Sequence, residues 1–321
     1  MEKIIISPHD IFPPMDGGER RIYLLTRLYS KKENVTLICP KLKNKNKIDL
    51  DITVIEAFKN KPKNKILNFN LIKILNKIKG EIQLEYPWQA INLIISNKKY
   101  ILDEHNVEFL RFKRLNKKIW PIIYIAELIA CKFAKKIICV SKIDKKYLVK
   151  YFKINPNKIK IIENPVDRRI FFPNSLHNKK IRKKLDIRKN EKMILFNGQL
   201  DYGPNIEALK IIIKYILPGL DKKNINYKLV ICGRGNGKGL LNKFKHKNLI
   251  FEGFVDKIED YINASDVVIA PLKSGSGTRI KILEALACKK KTISTSIGAE
   301  GIKKNKLLEV EDEWEEFVKK I

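Results

Sequence analysis

Acidic side chains are scarce in this sequence. Thirty-five Asp and Glu stand against 66 Lys and Arg, a formal net charge of +31. Such an excess has three physical readings: a nucleic-acid footprint, attraction to anionic lipid, or plain composition. Lysine greatly outnumbers arginine, Ile and Asn are abundant, and the lysines run through the whole chain. Compositional bias is therefore the first reading, a membrane surface the second and nucleic acid the last. The five cysteines (Cys39, Cys131, Cys139, Cys232, Cys288) form no CxxC pair, and "TLIC" and "KLVIC" read as apolar strands. Reduced, buried cysteines of a cytosolic protein are expected, without cysteine-bound zinc. Long apolar runs are missing as well. The opening "MEKIIISPHD" is too short for a signal peptide's apolar region. The greasiest stretch, 119–134, is 16 residues long and is broken by Glu127 and Lys132, short of the ~20 that span a bilayer. The chain is expected to be cytoplasmic and not transmembrane. "CGRGNGKG" (232–239) lacks the dinucleotide fingerprint, since the glycine needed at 238 is Lys238, and there is no P-loop.

What is present is an alternation of strand and helix. Strand candidates are 3–7, 35–39, 52–56, 82–86, 100–104, 136–141 and 159–164, then 193–198, 228–233, 249–254, 267–272 and 292–296. Helical patterns lie between them at 18–31, 121–134, 142–152, 204–217, 257–263 and 279–288. Alternation of this kind implies parallel sheets with crossover helices. The series restarts near residue 190, after a linker-like stretch at 163–185 with prolines and asparagine. The 321 residues thus divide into two α/β domains, 1–166 and 167–321. Both are Rossmann-like, doubly wound parallel sheets facing a cleft. Such sheets bind ligands beyond the carboxyl ends of their strands, so the chemistry belongs in those loops.

After the first strand, "SPHDIFPPMDGGERR" places Gly17 and Gly18 before a helix, where backbone N–H groups are open to an anion. An ordinary strand–helix turn is the plain alternative, and His9 taken alone reads as structural. After the fifth strand, "DEHNVEFLRF" (103–112) crowds Asp103, Glu104, His105, Asn106 and Glu108. With four histidines in the chain, one at a strand end suits hydrogen bonding or proton transfer; the alternative is a solvated polar turn. Segment 109–136 carries eight Lys/Arg and one acid among aromatic and aliphatic residues. It reads either as an interfacial element for anionic lipid or as a core helix behind a basic loop. "DLD" (49–51) is too isolated to support a metal site.

The fullest signal is "SGSGTRIKILEALA" (274–287). Gly275, Ser276 and Gly277 form a small-residue loop, Thr278 is the expected helix N-cap, and Arg279 and Lys281 put two cations where a helix dipole disfavours them. An anion resolves the conflict. Glu284 shares a face with Lys281 and would accept both hydroxyls of a ribose. A nucleotide diphosphate fits: phosphates on the loop and cations, ribose on Glu284. A Lys281–Glu284 surface pair is the alternative.

"FNGQLDYGPNIEAL", "VICGRG", "IFEGFVDKIEDYINASDVVIAPLKSGSGTRIKILEALA" and "STSIGAEGI", with "PPMDGGERR", "DEHNVE", "CVSKID" and "IIENPVD" in order before them, resemble the GT-B glycosyltransferases of family 4. The resemblance spans nearly the whole chain and is most specific over 190–302. It implies a retaining, metal-independent transfer of a sugar from a nucleotide diphosphate sugar, of UDP or GDP type, to an acceptor hydroxyl in cell-surface glycan or glycolipid synthesis. No further cofactor is implied. On this resemblance Glu284 binds the ribose, and Arg279 and Lys281 lie at the diphosphate. Gly17 and Gly18 meet the donor phosphates, and His105 sits at the donor sugar. Gly198, Arg234 and the 275–278 loop complete the donor side; His9, Asn106 and Glu108 face the acceptor. Partners are then the nucleotide sugar, a glycan or lipid-linked acceptor, and an anionic membrane at its inner face through 109–136, with no nucleic acid. Three departures stand out. Ser276 occupies the place of the first of two glutamates that many relatives carry. "NGQLDYGPN" lacks the basic pair usual there, which shifts the diphosphate charge to Arg279 and Lys281. The last helix of the family also looks abbreviated in "VEDEWEEFVKKI". A GT-B-shaped nucleotide-sugar epimerase and a charge-driven nucleic-acid-binding protein are the rival readings.

Overall fold

Lys3–Ile6 (β1), Val35–Pro40 (β2), Thr53–Phe58 (β3), Glu81–Glu85 (β4), Tyr100–Glu104 (β5), Lys136–Cys139 (β6) and Ile159–Ile161 (β7) form one sheet in the computed structural model of the chain. The structure describes residues 2–58, 66–235, 239 and 244–321, with the side chains of 176–178 excepted. The sheet order is β3-β2-β1-β4-β5-β6-β7 and every pairing is parallel. Central parallel strands are covered on both faces, so they read as unbroken apolar runs; β1, "KIII", is buried at all four positions. The helices of this unit are Gly17–Ser30 (α1), Phe69–Lys77 (α2), Ala90–Ile95 (α3), Glu108–Arg114 (α4), Trp120–Phe133 (α5) and Lys142–Phe152 (α6).

A second sheet comprises Lys192–Asn197 (β8), Tyr227–Cys232 (β9), Leu249–Gly253 (β10), Val267–Ala270 (β11), Lys291–Ser294 (β12) and Leu308–Val310 (β13). Its order, β10-β9-β8-β11-β12-β13, is again all parallel. Its helices are Ser175–Lys184 (α7), Gly203–Ile211 (α8), Leu217–Lys222 (α9), Ile258–Ala264 (α10), Ile280–Ala287 (α11) and Trp314–Lys320 (α12). A π-helical turn, Ile212–Ile216, joins α8 to α9 just before Pro218, which has no N–H to continue an α-helical ladder. The chain divides into two units, Met1–Pro165 and Val166–Ile321.

Each sheet reverses its strand order once, between β1 and β4 and between β8 and β11. A crevice opens at such a switch point beyond the strand ends. The expected doubly wound α/β architecture is therefore present in both units, and seven of the first-half strands lie where the apolar runs place them. Two expectations need correction. The linker-like stretch 163–185 contains α7, and Phe171 and Ile181 bury into the second unit's core. Its lysine-rich surface hides those two anchors in the sequence. The N-cap expected at Thr278 lies one residue later, at Arg279, and the helix runs from Ile280. The last strand, β13, carries too few apolar residues to be seen. The five cysteines are buried and unpaired with one another.

Candidate active site

In the first unit, α1 starts earlier than its apolar pattern suggests. Asp16 is the N-cap and accepts from the Glu19 N–H at 2.9 Å, while Glu19 accepts from the Met15 N–H at 2.7 Å. The two acids satisfy orphan N–H groups at both edges of the first turn. Gly17 and Gly18 thus belong to the helix. An added Cβ on Gly18 would lie 2.0 Å from the Tyr86 hydroxyl, so that glycine allows the phenol to close on α1.

Hydrogen bonds from α1 lock the end of β5. Arg21, buried on α1, holds both carboxylate oxygens of Asp103 at 2.8 and 3.0 Å. Its other nitrogen donates to the carbonyls of Ile162 and Glu163 and to Asn164 Oδ1 at 3.0–3.2 Å. Burial raises the Asp103 carboxyl, and the Arg21 charge opposes that rise. The alternative reading of this stretch as a solvated polar turn does not hold: Asp103, Glu104, His105 and Glu108 are all buried. Glu127 of α5 is buried too, and its carboxylate caps α4 by accepting from the Glu108 and Phe109 N–H groups at 2.8 Å each. Burial and neighbouring acids push Glu104 and Glu127 well above the usual carboxylate range. Asn106 donates to Glu108, which also pairs with Arg111. Two of the three predicted acceptor-side residues, Asn106 and Glu108, are therefore tied into α4.

His105 Nε2 lies 2.6 Å from Glu85 Oε2 at the end of β4. Burial, reinforced by Arg21, lowers the imidazole to about 3 against the pull of Asp103 and Asp16, so the ring is neutral near pH 7. Burial raises Glu85 to about 7. Tyr86 lies tilted over His105 with centroids 4.0 Å apart and meets His9 edge-on at 5.5 Å. Thus His9, Gly18 and His105 surround one tyrosine that no sequence pattern singled out. Tyr86 has φ 65° and ψ 160°, a backbone region that glycine occupies freely and other residues avoid. Among the described residues one trio of metal-ligand type, Glu85, Asp103 and His105, has ligand atoms within 4.8 Å of one another. Asp103 is held by Arg21, and Glu85 by Gln83 and His105, so its carboxylates already have protein partners. Asp49 of the "DLD" stretch accepts from the Tyr23 hydroxyl at 2.6 Å.

The second unit builds a different kind of site. Gly275 and Gly277 adopt φ +98° and +76°, left-handed values that side chains resist. The Arg279 guanidinium gathers the loop by donating to the carbonyls of Ser274, Ser276 and Gly277. The Ser274 hydroxyl donates to Glu207 on α8 at 2.7 Å. Lys281 leaves α11 toward the end of β8. Its ammonium donates to Asn205 Oδ1 at 2.9 Å and lies 4.7 Å from the Phe196 ring centroid. Burial first, then repulsion from Arg279, lowers it to about 7, with Glu284 pulling the other way. A Cβ on Gly198 would meet this ammonium at 2.7 Å. The Asn197 Oδ1 at the same strand end is buried without a hydrogen-bond partner among the described residues. Glu284 is buried, unlike a member of a surface pair. Arg234 is exposed beyond β9; residues 236–238 of its loop lie outside the described residues. Gly198, the 275–278 loop, Arg279, Lys281 and Glu284 are therefore neighbours around β8, β11 and α11. Asn205 and Glu207 join them from "GPNIE", where the sequence showed only the lack of a base.

The family described as "Glycosyltransferase Family 4" matches residues 15–169, and that described as "Glycosyl transferases group 1" matches residues 191–321. An uncharacterized glycosyltransferase of Methanocaldococcus jannaschii is 29% identical over 214 residues, 64% of this chain and 53% of the relative. The UDP-Gal:alpha-D-GlcNAc-diphosphoundecaprenol alpha-1,3-galactosyltransferase of Escherichia coli is 27% identical over 192 residues, 56% of this chain and 48% of the relative. The chain thus spans about half the length of these curated relatives. The crystal structure of Anabaena HepE in complex with UDP and glucose superposes with a TM-score of 0.76 at 14% identity, over 99% of this chain and 88% of that one. That likeness is one of fold. Among the described residues no helix is long and apolar enough to cross a membrane.

Proposed function

From a chain that belongs to the family 4, group 1 glycosyltransferases, we propose a retaining, metal-independent transfer of a sugar from a nucleotide diphosphate sugar to an acceptor hydroxyl. The observation that carries this reading is the loop 274–279 with Lys281 and buried Glu284 at the switch point of the second sheet. Arg279 rigidifies the loop, leaving Lys281 as the cation at the β8 end. A diphosphate there gains a fixed positive charge as the sugar–oxygen bond breaks, without reorganisation at the moment of reaction. Glu284 accepts the ribose hydroxyls. In the first unit His105, held neutral, hydrogen-bonds a sugar hydroxyl. No resident cofactor takes part. UDP is the favoured base, by analogy with the UDP sugar named for the E. coli relative and the UDP bound in HepE. Thermal unfolding with UDP, GDP, ADP and their sugars tests the site. A ligand at 100 times its Kd stabilises by about 2.7 kcal/mol. The expected result is a shift for one base that Glu284→Ala abolishes; no shift for any nucleotide would reject the donor site.

The acceptor is proposed to be a lipid-linked glycan used in cell-surface synthesis, met at an anionic membrane face. Ile122, Ile125, Ile129 and Phe133 are exposed at three- and four-residue spacing along α5, and Ile119 is exposed just before it. Exposed Lys117, Lys118, Lys132 and Lys135 flank that stripe. Apolar side chains at the acyl boundary with ammonium groups at lipid phosphates satisfy both sets. Co-sedimentation with phosphatidylglycerol vesicles should drop at least tenfold for Ile122→Glu/Ile125→Glu, and also on loss of the basic residues in 111–118. Unchanged binding rejects this face. Concentration-dependent dimers in light scattering, lost in the same variant, would assign it to a second copy of the chain.

A further inference from the structure

We infer that Glu85 is the positioning residue of His105, gripping Nε2 so that Nδ1 is the atom offered to a sugar hydroxyl. This rests on the reading above that His105 meets a sugar. The grip has three parts. Glu85 Oε2 stands 2.6 Å from Nε2, with both side chains buried. Glu85 is itself aimed by Gln83, two residues back on the same face of β4, whose amide donates to Oε1 at 2.7 Å. Tyr86 covers the ring at 4.0 Å from a backbone conformation that only surrounding structure can enforce. Among the described residues His105 Nδ1 has no hydrogen-bond partner within this enclosure. Neutral imidazole has one N–H and one lone pair, so an enclosed Nδ1 lacks half of its hydrogen bonding until a ligand supplies it. The imidazole keeps a thin exposed rim, 5% of its side chain.

The carboxyl also decides what Nδ1 can do. When Glu85 is ionised, Nε2 carries the proton and donates to it, and Nδ1 presents a lone pair. When Glu85 is protonated, it donates to Nε2 and the ring proton moves to Nδ1. Burial places this change at about pH 7, opposed by Arg21, Gln83 and Lys3; Asp103 and Asp16 face the ring as well. Above that value His105 accepts from a hydroxyl; below it His105 donates.

Tautomers are visible in the ring 15N shifts of histidine-labelled protein, and the chain has four histidines to resolve. Wild type at pH 8 should show His105 protonated on Nε2, moving toward Nδ1 protonation by pH 6. In Glu85→Gln, the Gln83 amide still needs an oxygen opposite it. The new amide NH2 then faces Nε2 and forces the proton onto Nδ1 at both pH values. With it kcat should fall at least tenfold while the KM for the nucleotide sugar changes less than threefold, and Glu85→Asp should recover part of kcat. The same tautomer in wild type and Glu85→Gln at pH 8, or Nδ1 protonation in wild type at pH 8, overturns the assignment, and the wild-type spectrum needs no variant to fold. His105→Ala with activity within twofold of wild type overturns instead the reading that His105 meets a sugar, and with it the purpose of the grip.

Discussion

The two units share one strand topology around their switch points and fill them with opposite electrostatics. Beyond β1, β4 and β5 the side chains are buried acids, a buried guanidinium and a neutral imidazole. Beyond β8 and β11 they are left-handed glycines, an arginine wrapped in carbonyls and a lysine ammonium lowered to about 7. The first arrangement suits uncharged hydrogen bonding; the second suits an anion. The same sheet thus hosts either, and the loops after the strands choose.

The largest effect that separates the two should come from Arg21. Removing one partner of a buried ion pair typically costs about 3–5 kcal/mol, because the other charge stays buried. Arg21→Ala strands Asp103 and loosens the segment after β7, so we expect a loss of that order. Hydrogen exchange followed by mass spectrometry should find faster exchange within residues 1–165 and little change in 166–321. Equal loosening of both units would show that they do not behave as separate sites.

Next in size is the pH dependence of the anion site. The folded Lys281 amine releases its proton near pH 7, below the usual value of 10.5. Between those values the unfolded chain binds more protons, so this residue's contribution makes stability rise with pH. A bound diphosphate reverses the preference by favouring the ammonium. Binding at pH 8–9 should therefore take up close to one proton, and affinity should fall by up to about tenfold per pH unit above 7. Calorimetry of UDP in two buffers of different ionisation enthalpy measures the uptake. Lys281→Arg, charged throughout, should flatten the profile. A flat wild-type profile would remove Lys281 from the phosphate site, leaving Arg279 and Arg234 as the remaining predicted cations.

Much of this contrast was legible beforehand. Parallel strands buried on both faces announce themselves as apolar runs, and "SGSGTRIKILEALA" shows a cation conflict that local physics can diagnose. The cationic site could be read because its parts are close in sequence. The imidazole site could not. "DEHN" marked His105, but Glu85 and Tyr86 lie about twenty positions earlier at the end of another strand, where "LEYP" looks like any strand exit. Arg21 within "GGERR" looks like a surface base until Asp103 is brought to it. Partners set by sheet order rather than spacing leave no local trace. Small secondary elements failed for a related reason: among its described residues α7 holds one anchoring side chain, Ile181, in polar surroundings, and β13 holds no buried one, so tertiary packing decides them.

The smallest effect tests why Gly18 is a glycine. A glycine at the first turn of α1 reads in sequence as room for a phosphate, as Gly275 and Gly277 do in the second unit. The structure fills that room with the Tyr86 hydroxyl, 2.0 Å from where a Cβ would stand. In an ordinary helix, alanine would be better than glycine by about 1 kcal/mol, so a loss of stability in Gly18→Ala would measure the collision with the phenol. Tyr86→Phe removes the oxygen and leaves the ring carbon at 3.3 Å, which a small shift relieves. We expect Gly18→Ala to cost about 1–2 kcal/mol in wild type and close to nothing in Tyr86→Phe, a coupling within the usual range for touching residues. UDP-sugar affinity in the double variant then separates the two roles. If stability and affinity both return, the glycine serves Tyr86 alone, and donor phosphates belong to the cationic loop of the second unit. If stability returns while affinity stays low, the start of α1 serves the phosphates as well, and the contrast between the two units narrows to their buried groups.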